Sequence, residues 1–397
     1  MAKTLRALPV SELAGKRALV RVDFNVPLEA GAVADATRID ASLPTLEYLL
    51  DAGARPVLLS HLGRPKGEVR PELTLAPVAP CLEERIGHPV HFFGRCEGDE
   101  AVARTRELGE AEILLLENTR FLPGETTNDP ALAAGFARLG DLYVLDAFGT
   151  AHRAHASTAG VAGLLRPSVS GLLVDTELRA LGRLGDAPDR PFVVGFGGAK
   201  ISDKIDLLNV FLDRADVLLV GGAMANTFFA AQGLPTGRSL VESDAVGLAA
   251  EILDRAGGRI HLPTDVVVTR DVGDPVSEVW TVPVDAIPEG AAAVDIGPES
   301  RQAYAAVVGT ARSFFWNGPM GLFEDRRFAA GTFTLAEAAA DATAGGAFTV
   351  IGGGDSAAAV RAAGLMDRVS HVSTGGGASL KFLSGGELPG VAALEQT

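Results

Sequence analysis

Short apolar runs recur along the chain, and each gives way at once to polar residues or to glycine. In the first half these are RALVRV before Asp23, RPVLLS before His61, AEILLLE before Asn118 and DLYVLD before Ala147. Runs that are apolar throughout, rather than alternating, suit strands buried on both faces of a parallel sheet. The stretches between them can be helical, as in ATRIDASLPTLEYLLDAG over residues 36–53. The second half repeats the scheme with PFVVGFGGAK, ADVLLVGGAMAN, AAVDIGPES, RSFFWNGPMG, AFTVIGGGDS and HVSTGGGAS, where glycines rather than arginines follow the runs. The predicted fold is therefore α/β, a parallel sheet flanked by helices in each half. Residues 170–191, SGLLVDTELRALGRLGDAPDRP, read as one amphipathic helix closed by a turn rich in glycine and proline. That makes them a connector between a domain at 1–169 and another at 192–376. The alanine-rich stretch 329–347 reads as an ordinary surface helix.

Composition narrows the function more than the fold. A chain of 397 residues exceeds one usual core, and 47% hydrophobic with 21% charged residues is an ordinary globular balance. The formal net charge of −15 sets a repulsive field against nucleic acid and anionic membrane surfaces. Any anion this protein binds must be held by a few locally placed cations. Cys81 and Cys96 are too few for a disulfide framework and lack the spacing of a zinc site, which points to a reducing cytoplasmic compartment. No apolar run approaches the ~18 residues of a membrane span, and the first residues lack a secretory apolar stretch.

Ligands of open α/β sheets bind beyond the carboxyl ends of the strands, so the residues after each run carry the chemistry. In the first half these are Arg21, Asp23 and Asn25, then His61 and Arg64, then Arg120, then His152, Arg153 and His155, with Arg38 after the first turn region. Arginine forks gathered on one sheet edge of an acidic chain point to a compact phosphorylated acid, with Asp23 and Asn25 free to orient a hydroxyl. Single arginines among these could serve only surface ion pairs, and the histidines could be structural. In the second half, Gly352–Ser356 forms a strand, glycine, helix transition whose backbone N–H groups and helix dipole suit a phosphate. Asp355 adds a hard oxygen ligand for magnesium. Lys200 and Lys204 are four residues apart, and if a helix begins here they share one face, ready for two phosphoryl groups. The segment is neither a Walker A loop nor a dinucleotide fingerprint. A pocket for a small acid and a glycine-rich nucleotide site together point to phosphoryl transfer.

Eight ordered motifs, RVDFNVP at Arg21, SHLGRPKG at Ser60, LLENTRF at Leu115, DAFGTAHRAHAS at Asp146, GGAKISDKI at Gly197, WNGPMGLFE at Trp316, GGGDS at Gly352 and STGGGASL at Ser373, cover nearly the whole chain. In these the sequence resembles the phosphoglycerate kinases. The resemblance implies two Rossmann-like lobes joined by a hinge helix, with the tail 377–397 returning to the N-terminal domain. It implies a monomer that exchanges a phosphoryl group between 1,3-bisphosphoglycerate and ADP, giving 3-phosphoglycerate and ATP, with Mg2+. It assigns Asp23, Asn25, Arg38, His61, Arg64, Arg120 and Arg153 to the phosphoglycerate, and Arg38 and Lys200 to the transferring group. Lys204 goes to a nucleotide phosphate, as does Asn317. Gly198, Gly221, Gly222 and Pro319 line the nucleotide cleft, and Glu324 meets the ribose. Gly353 and Gly354 lie beside the phosphates, Asp355 binds magnesium and Ser356 stands next to it. Ser356 replaces the usual threonine, and Lys381 and Leu145 also depart from the pattern at positions without chemistry.

The expected mechanism is direct in-line transfer after hinge closure, driven by positioning and charge rather than a general base. Two other readings of an α/β chain are a nicotinamide-dependent dehydrogenase, which predicts the missing dinucleotide fingerprint, and a noncatalytic binding protein, which predicts damage at Arg38, Lys200, Lys204 or Asp355.

Overall fold

The structure is a computed structural model that describes residues 2–395. Its chain divides into two units: one runs up to Arg179 and takes in the stretch from Gly386 onward, and the other runs from Ala180 to Gly385. The division falls inside the helix Leu172–Asp186, within the stretch read as a connector.

In the first unit the strands are β1 (Arg17–Val22), β2 (Leu28–Glu29), β3 (Ala32–Val33), β4 (Arg55–Leu59), β5 (Val90–Phe93), β6 (Ile113–Leu116), β7 (Leu142–Asp146) and β8 (Ser168–Ser170). Six of them form one sheet in the order β5-β6-β4-β1-β7-β8, with every pairing parallel. All residues of β6 and β7 are buried, as their unbroken apolar runs require. β2 and β3 make a small antiparallel hairpin between Asn25 and Arg38. The stretch from Gly386 belongs to this unit through backbone bonds from Gly390 to Ala151 O at 3.0 Å and from Glu395 to Ser168 O at 3.0 Å.

Residues 36–53 do not form one helix. They split into Thr37–Asp40 and Leu43–Asp51, because Pro44 has no N–H for a bond to Asp40 and its ring crowds that carbonyl. Proline is tolerated at the start of the second helix, and the break leaves Arg38 on its own short turn.

The second unit contains β9 (Phe192–Phe196), β10 (Val217–Val220), β11 (Ile260–His261), β12 (Asp265–Thr269), β13 (Val279–Pro283), β14 (Ala292–Ile296), β15 (Ser313–Asn317), β16 (Phe348–Gly352) and β17 (His371–Val372). Its main sheet, again all parallel, runs β11-β10-β9-β15-β16-β17. Phe211 on the covering helix Ile205–Arg214 packs on Phe192, Phe196 and Phe315, with ring centroids 5.7, 5.9 and 5.5 Å away. Each such pair contributes about 0.5–1.5 kcal/mol beyond its buried area.

Two expectations are corrected here. The run AAVDIGPES supplies β14, which leaves the parallel sheet and pairs antiparallel with β12 in the small sheet β13-β12-β14. Its partner β13 alternates exposed and half-buried positions, so that sheet is covered on one face only. The alanine-rich helix Ala330–Ala344 is not a surface helix: Leu335, Ala336, Ala338, Ala339, Ala340 and Ala342 are all buried. Small side chains let neighbouring elements approach closely, so the alanines mark a tightly packed face.

Asp146, at the end of β7, is fully enclosed, and burial raises its carboxyl pKa to about 7. Its Oδ1 accepts from Leu173 N at 3.0 Å. An acid with a raised folded pKa keeps its proton where the unfolded chain has lost it, so stability falls as pH rises from about 4 to about 7. Replacing it by Asp146→Asn is expected to remove a slope of up to about 1.4 kcal/mol per pH unit. Unfolding midpoints followed by circular dichroism at pH 5 and pH 7.5 check this; a variant with the wild-type slope refutes it.

Candidate functional site

In each parallel sheet the chain crosses from one side of its first strand to the other, and the crevice beyond the carboxyl ends at that reversal is where such folds bind ligands. In the first unit the reversal lies between β1 and β7, and in the second between β9 and β15.

Beyond β1 the predicted cations converge. Arg21 is completely buried. Its Nε donates to Ser157 Oγ at 2.8 Å, and its guanidinium lies 3.2 Å from His61 Nδ1. Arginine can only donate, so Nδ1 accepts and the ring proton resides on Nε2. Burial, and then the charges of Arg21, Arg120, Arg38 and Arg153, hold the His61 pKa well below its ordinary value. The ring is a neutral hydrogen-bonding group at physiological pH.

Asp23 Oδ2 accepts from Arg38 Nη1. Its Oδ1 lies 3.7 Å from His61 Nδ1 and has no hydrogen-bond partner among the described residues. Asn25 Oδ1 accepts from Gly63 N at 2.9 Å, while the carbonyl of Gly63 accepts from Arg120 Nη1 at 2.8 Å. One residue, Gly63, thus ties two of the predicted residues, Asn25 and Arg120, to the loop after β4. The remaining Arg120 donors, Nε and Nη2, are buried and unmatched among the described residues. Burial and the neighbouring Arg21 and Arg153 charges depress its pKa to about 10. Each unmatched buried donor costs about 1–3 kcal/mol until an acceptor meets it, which points to an anionic ligand.

Arg153 is half-buried with Nε 3.1 Å from His152 Nε2, and Arg64 stands exposed on the loop beyond Gly63. Asp23, Arg38 and His61 therefore form one group and Asn25 and Arg120 a second joined through Gly63; Arg120 and Arg153 reach His61 through their charges, and Arg64 lies outside both groups. His155 is buried, with Nδ1 3.8 Å from Glu125 Oε1; burial, ahead of the arginine charges, lowers its pKa to about 3. It supports the pocket as a neutral group.

Sequence reasoning missed Glu125 and Ser157. Glu125 is fully buried and accepts from Ser157 Oγ at 2.5 Å, Ser157 N at 3.0 Å and Thr119 Oγ1 at 3.2 Å. It holds the segment carrying Arg120 to the hydroxyl that receives Arg21. An acid in GETTND after a proline and glycine turn reads as exposed, and only the neighbouring motif LLENTRF hinted otherwise.

The second cradle is made of backbone. After β9, Gly198 N donates to Pro319 O at 2.9 Å, Gly222 N to Met320 O at 2.9 Å and Met224 N to Gly198 O at 3.0 Å. A Cβ on Gly222, whose φ is +66°, would stand 2.6 Å from Gly198 N, and one on Gly221 would stand 2.3 Å from Met320 Sδ. Three loops meet here only because these positions lack side chains. Asn317 is buried and presents Oδ1 and its backbone oxygen to Lys204 Nζ at 2.6 and 2.8 Å. Ser356 Oγ accepts from Gly318 N at 2.6 Å, which joins the helix start after β16 to the turn after β15. Gly353 precedes the helix Gly354–Ala362 with φ +88°, and Asp355 lies exposed in its first turn.

Lys200 and Lys204 do not share a helix face. The helix starts at Ile205 after a short turn at Ser202–Lys204, so Lys200 stands exposed on the preceding loop. Glu324 is also exposed, on the loop after Pro319. Burial lowers the Lys204 pKa to about 8, against the raising charges of Asp355 and Asp203. Among the described residues no three His, Cys, Asp or Glu side chains cluster as a metal site, so Asp355 offers a single carboxylate. That fits Mg2+, which combines one or two carboxylates with substrate phosphates and water.

A family model described as phosphoglycerate kinase matches residues 8–386. The chain is 55% identical over 398 residues to a phosphoglycerate kinase of Desulforudis audaxviator, covering 99% of each. It is 53% identical over 384 residues to one of Herpetosiphon aurantiacus, covering 96% of each. A solved phosphoglycerate kinase structure from Coxiella burnetii is similar with a TM-score of 0.87 and 37% identity, over 99% of this chain and 98% of that one. Another, from Pyrococcus horikoshii, gives a TM-score of 0.87 and 33% identity over the same shares.

Because the Lys204 pKa is lowered, its charge is lost as pH rises through about 8. A phosphate bound there favours the charged form, so affinity falls up to about tenfold per pH unit above that value. Calorimetry with ADP between pH 7.5 and 9.5 is expected to show this decline, and Lys204→Met is expected to bind weakly with no decline. A wild-type affinity independent of pH refutes the role.

Proposed function

The chain belongs to the phosphoglycerate kinase family and carries that family's phosphotransferase activity, and we propose that its two cradles divide the reaction between them. The basic cluster beyond β1 takes the phosphoglycerate, and the glycine-lined cradle beyond β9 takes ADP or ATP. The observation that carries this reading is the pair of unmatched Arg120 donors beside neutral His61 in a protein of net charge −15. Such a site has been assembled for an anion.

Arg120 and Arg153 hold the acid's oxygens, with Arg64 added from its exposed loop. His61 donates from Nε2, while Asp23 and Asn25 orient the hydroxyl. Arg38, released from Asp23, meets the transferring group together with Lys200. On the other side Lys204 exchanges its contacts with Asn317 for a nucleotide phosphate. Gly198, Gly221, Gly222 and Pro319 line the cleft, Glu324 takes the ribose, and Gly353, Gly354 and Ser356 frame the phosphates. Asp355 would hold Mg2+, which would supply positive charge to the phosphates.

The nucleophile is a carboxylate in one direction and an ADP oxygen in the other, both already ionised at neutral pH. No proton acceptor is needed, and the two buried histidines, with pKa values lowered by burial, are unsuited to be one. Rate therefore rests on alignment and charge stabilisation. In-line attack requires the reacting atoms to come within about 3–3.5 Å. The family resemblance implies a monomer working in the cytoplasm. Among the described residues no helix is long and apolar enough to cross a membrane.

The test is ADP formation from MgATP and 3-phosphoglycerate with the acyl phosphate drained reductively. Arg38→Ala and Lys200→Ala are each expected to lower kcat by about 10²–10³-fold or more, as for other removed transition-state donors. A chain that binds both ligands without turnover would instead favour the noncatalytic reading.

A further inference from the structure

Lys200 is exposed on a loop, yet a cation that stabilises a transferring phosphoryl group must be held in place. On its N-terminal side the loop is anchored by the backbone bonds of Gly198 to Pro319 and Met224. On its C-terminal side the anchor is one carboxylate from a distant segment. Glu242 Oε2 accepts from Ile201 N at 2.9 Å and from Ser202 N at 3.2 Å, and its Oε1 accepts from the Ser202 hydroxyl. Three donors of the two residues after Lys200 thus converge on a single side chain.

Glu242 is itself fixed to buried structure. Its N–H donates to Thr227 Oγ1 at 3.0 Å, and Asn226 Nδ2 donates to Leu240 O at 3.3 Å. Both Thr227 and Asn226 lie in the helix Ala223–Ala231 and are buried. A path of hydrogen bonds therefore runs from the core helix through Glu242 to the loop. Ile201, whose side chain is completely buried, pins the same point from beneath.

We infer that Glu242 is a positioning residue for phosphoryl transfer, which aims Lys200 at the reacting group by capping the Ile201–Ser202 backbone. The inference rests on the catalytic role given to Lys200 above. Among the described residues the hydrogen bonds of the Glu242 carboxylate go to this loop, whose Lys200 charge it also feels, and an amide in its place would present a donor to donors. The loop would then drift while both ligand cradles stay intact. The effect belongs in kcat, with KM for MgATP and for 3-phosphoglycerate unchanged.

A double-mutant cycle tests this, using the full chain with Glu242→Gln, Lys200→Ala and both together. Glu242→Gln is expected to lower kcat about tenfold with both KM values within about twofold of wild type, since small misplacements carry such costs. In the Lys200→Ala background it is expected to change nothing further. Ser202→Ala, which removes only the hydroxyl bond, is expected to give a smaller fall in the same direction, and it carries the cycle if Glu242→Gln unfolds. If Lys200→Ala is as active as wild type, the role of Lys200 fails. If Lys200→Ala is impaired but Glu242→Gln keeps wild-type kcat, or loses the same factor with and without Lys200, the Glu242 proposal is overturned.

Discussion

The first unit depends on holding like charges together. Arg21, Arg38, Arg120 and Arg153 all act on His61, and two unit charges about 6 Å apart repel by about 3 kcal/mol at an effective dielectric constant near 20. Arg21 also has no access to water. A buried charge without compensation costs several kcal/mol, so the cluster survives only with acids behind it. Glu125 and Asp23 are those acids, and both offset the depression of the Arg120 pKa. Glu125 works through Ser157, which shares its hydroxyl between the carboxylate and Arg21. The loop after β7 must therefore return to the sheet edge, and Tyr143 holds it there through its bond to Ser157 O at 2.9 Å. The fold of this loop is the condition for a dense positive site in an acidic protein.

The second unit solves the same problem with little side-chain charge. Its cradle brings three loops to distances that any Cβ would violate: one on Gly197 would stand 2.0 Å from Pro319 O, and one on Gly318 would stand 2.4 Å from Lys204 Nζ. Close backbone contact leaves N–H groups and a helix start facing the ligand, where the dipole favours anions. Charge is then added at a few points, Lys204 inside and Lys200 and Asp355 outside. The two units thus build sites suited to anions by opposite means, one by crowding guanidinium groups and one by removing side chains.

This contrast explains what could be read from the chain. Apolar runs marked the two parallel sheets because burial on both faces leaves no alternation, and strand ends pointed to Asp23, His61 and Arg120, which the structure brings together. Antiparallel β14 was misplaced because AAVDI has the same unbroken character as the parallel strands. Pro44 split a predicted helix by a local rule that the apolar spacing hid. The alanines of Ala330–Ala344 looked like surface because alanine is permissive everywhere, and only packing shows that they are buried. Glu125 escaped notice since its meaning lies in bonds to residues 32 positions away.

The two lysines show why position four residues apart says little about role. Lys204 is half-buried, bonded to Asn317 and depressed to a pKa of about 8, so its charge is sensitive and its place is fixed by the core. It suits a phosphate that arrives and is held. Lys200 is exposed, and in the role proposed for it the ammonium would follow a group that moves during the reaction, but mobility alone would scatter it. A loop anchored at Gly198 on one side and at Ser202 on the other resolves the conflict: the backbone is fixed and the side chain is free. Transfer needs both behaviours, since one phosphate must stay while its neighbour changes partner.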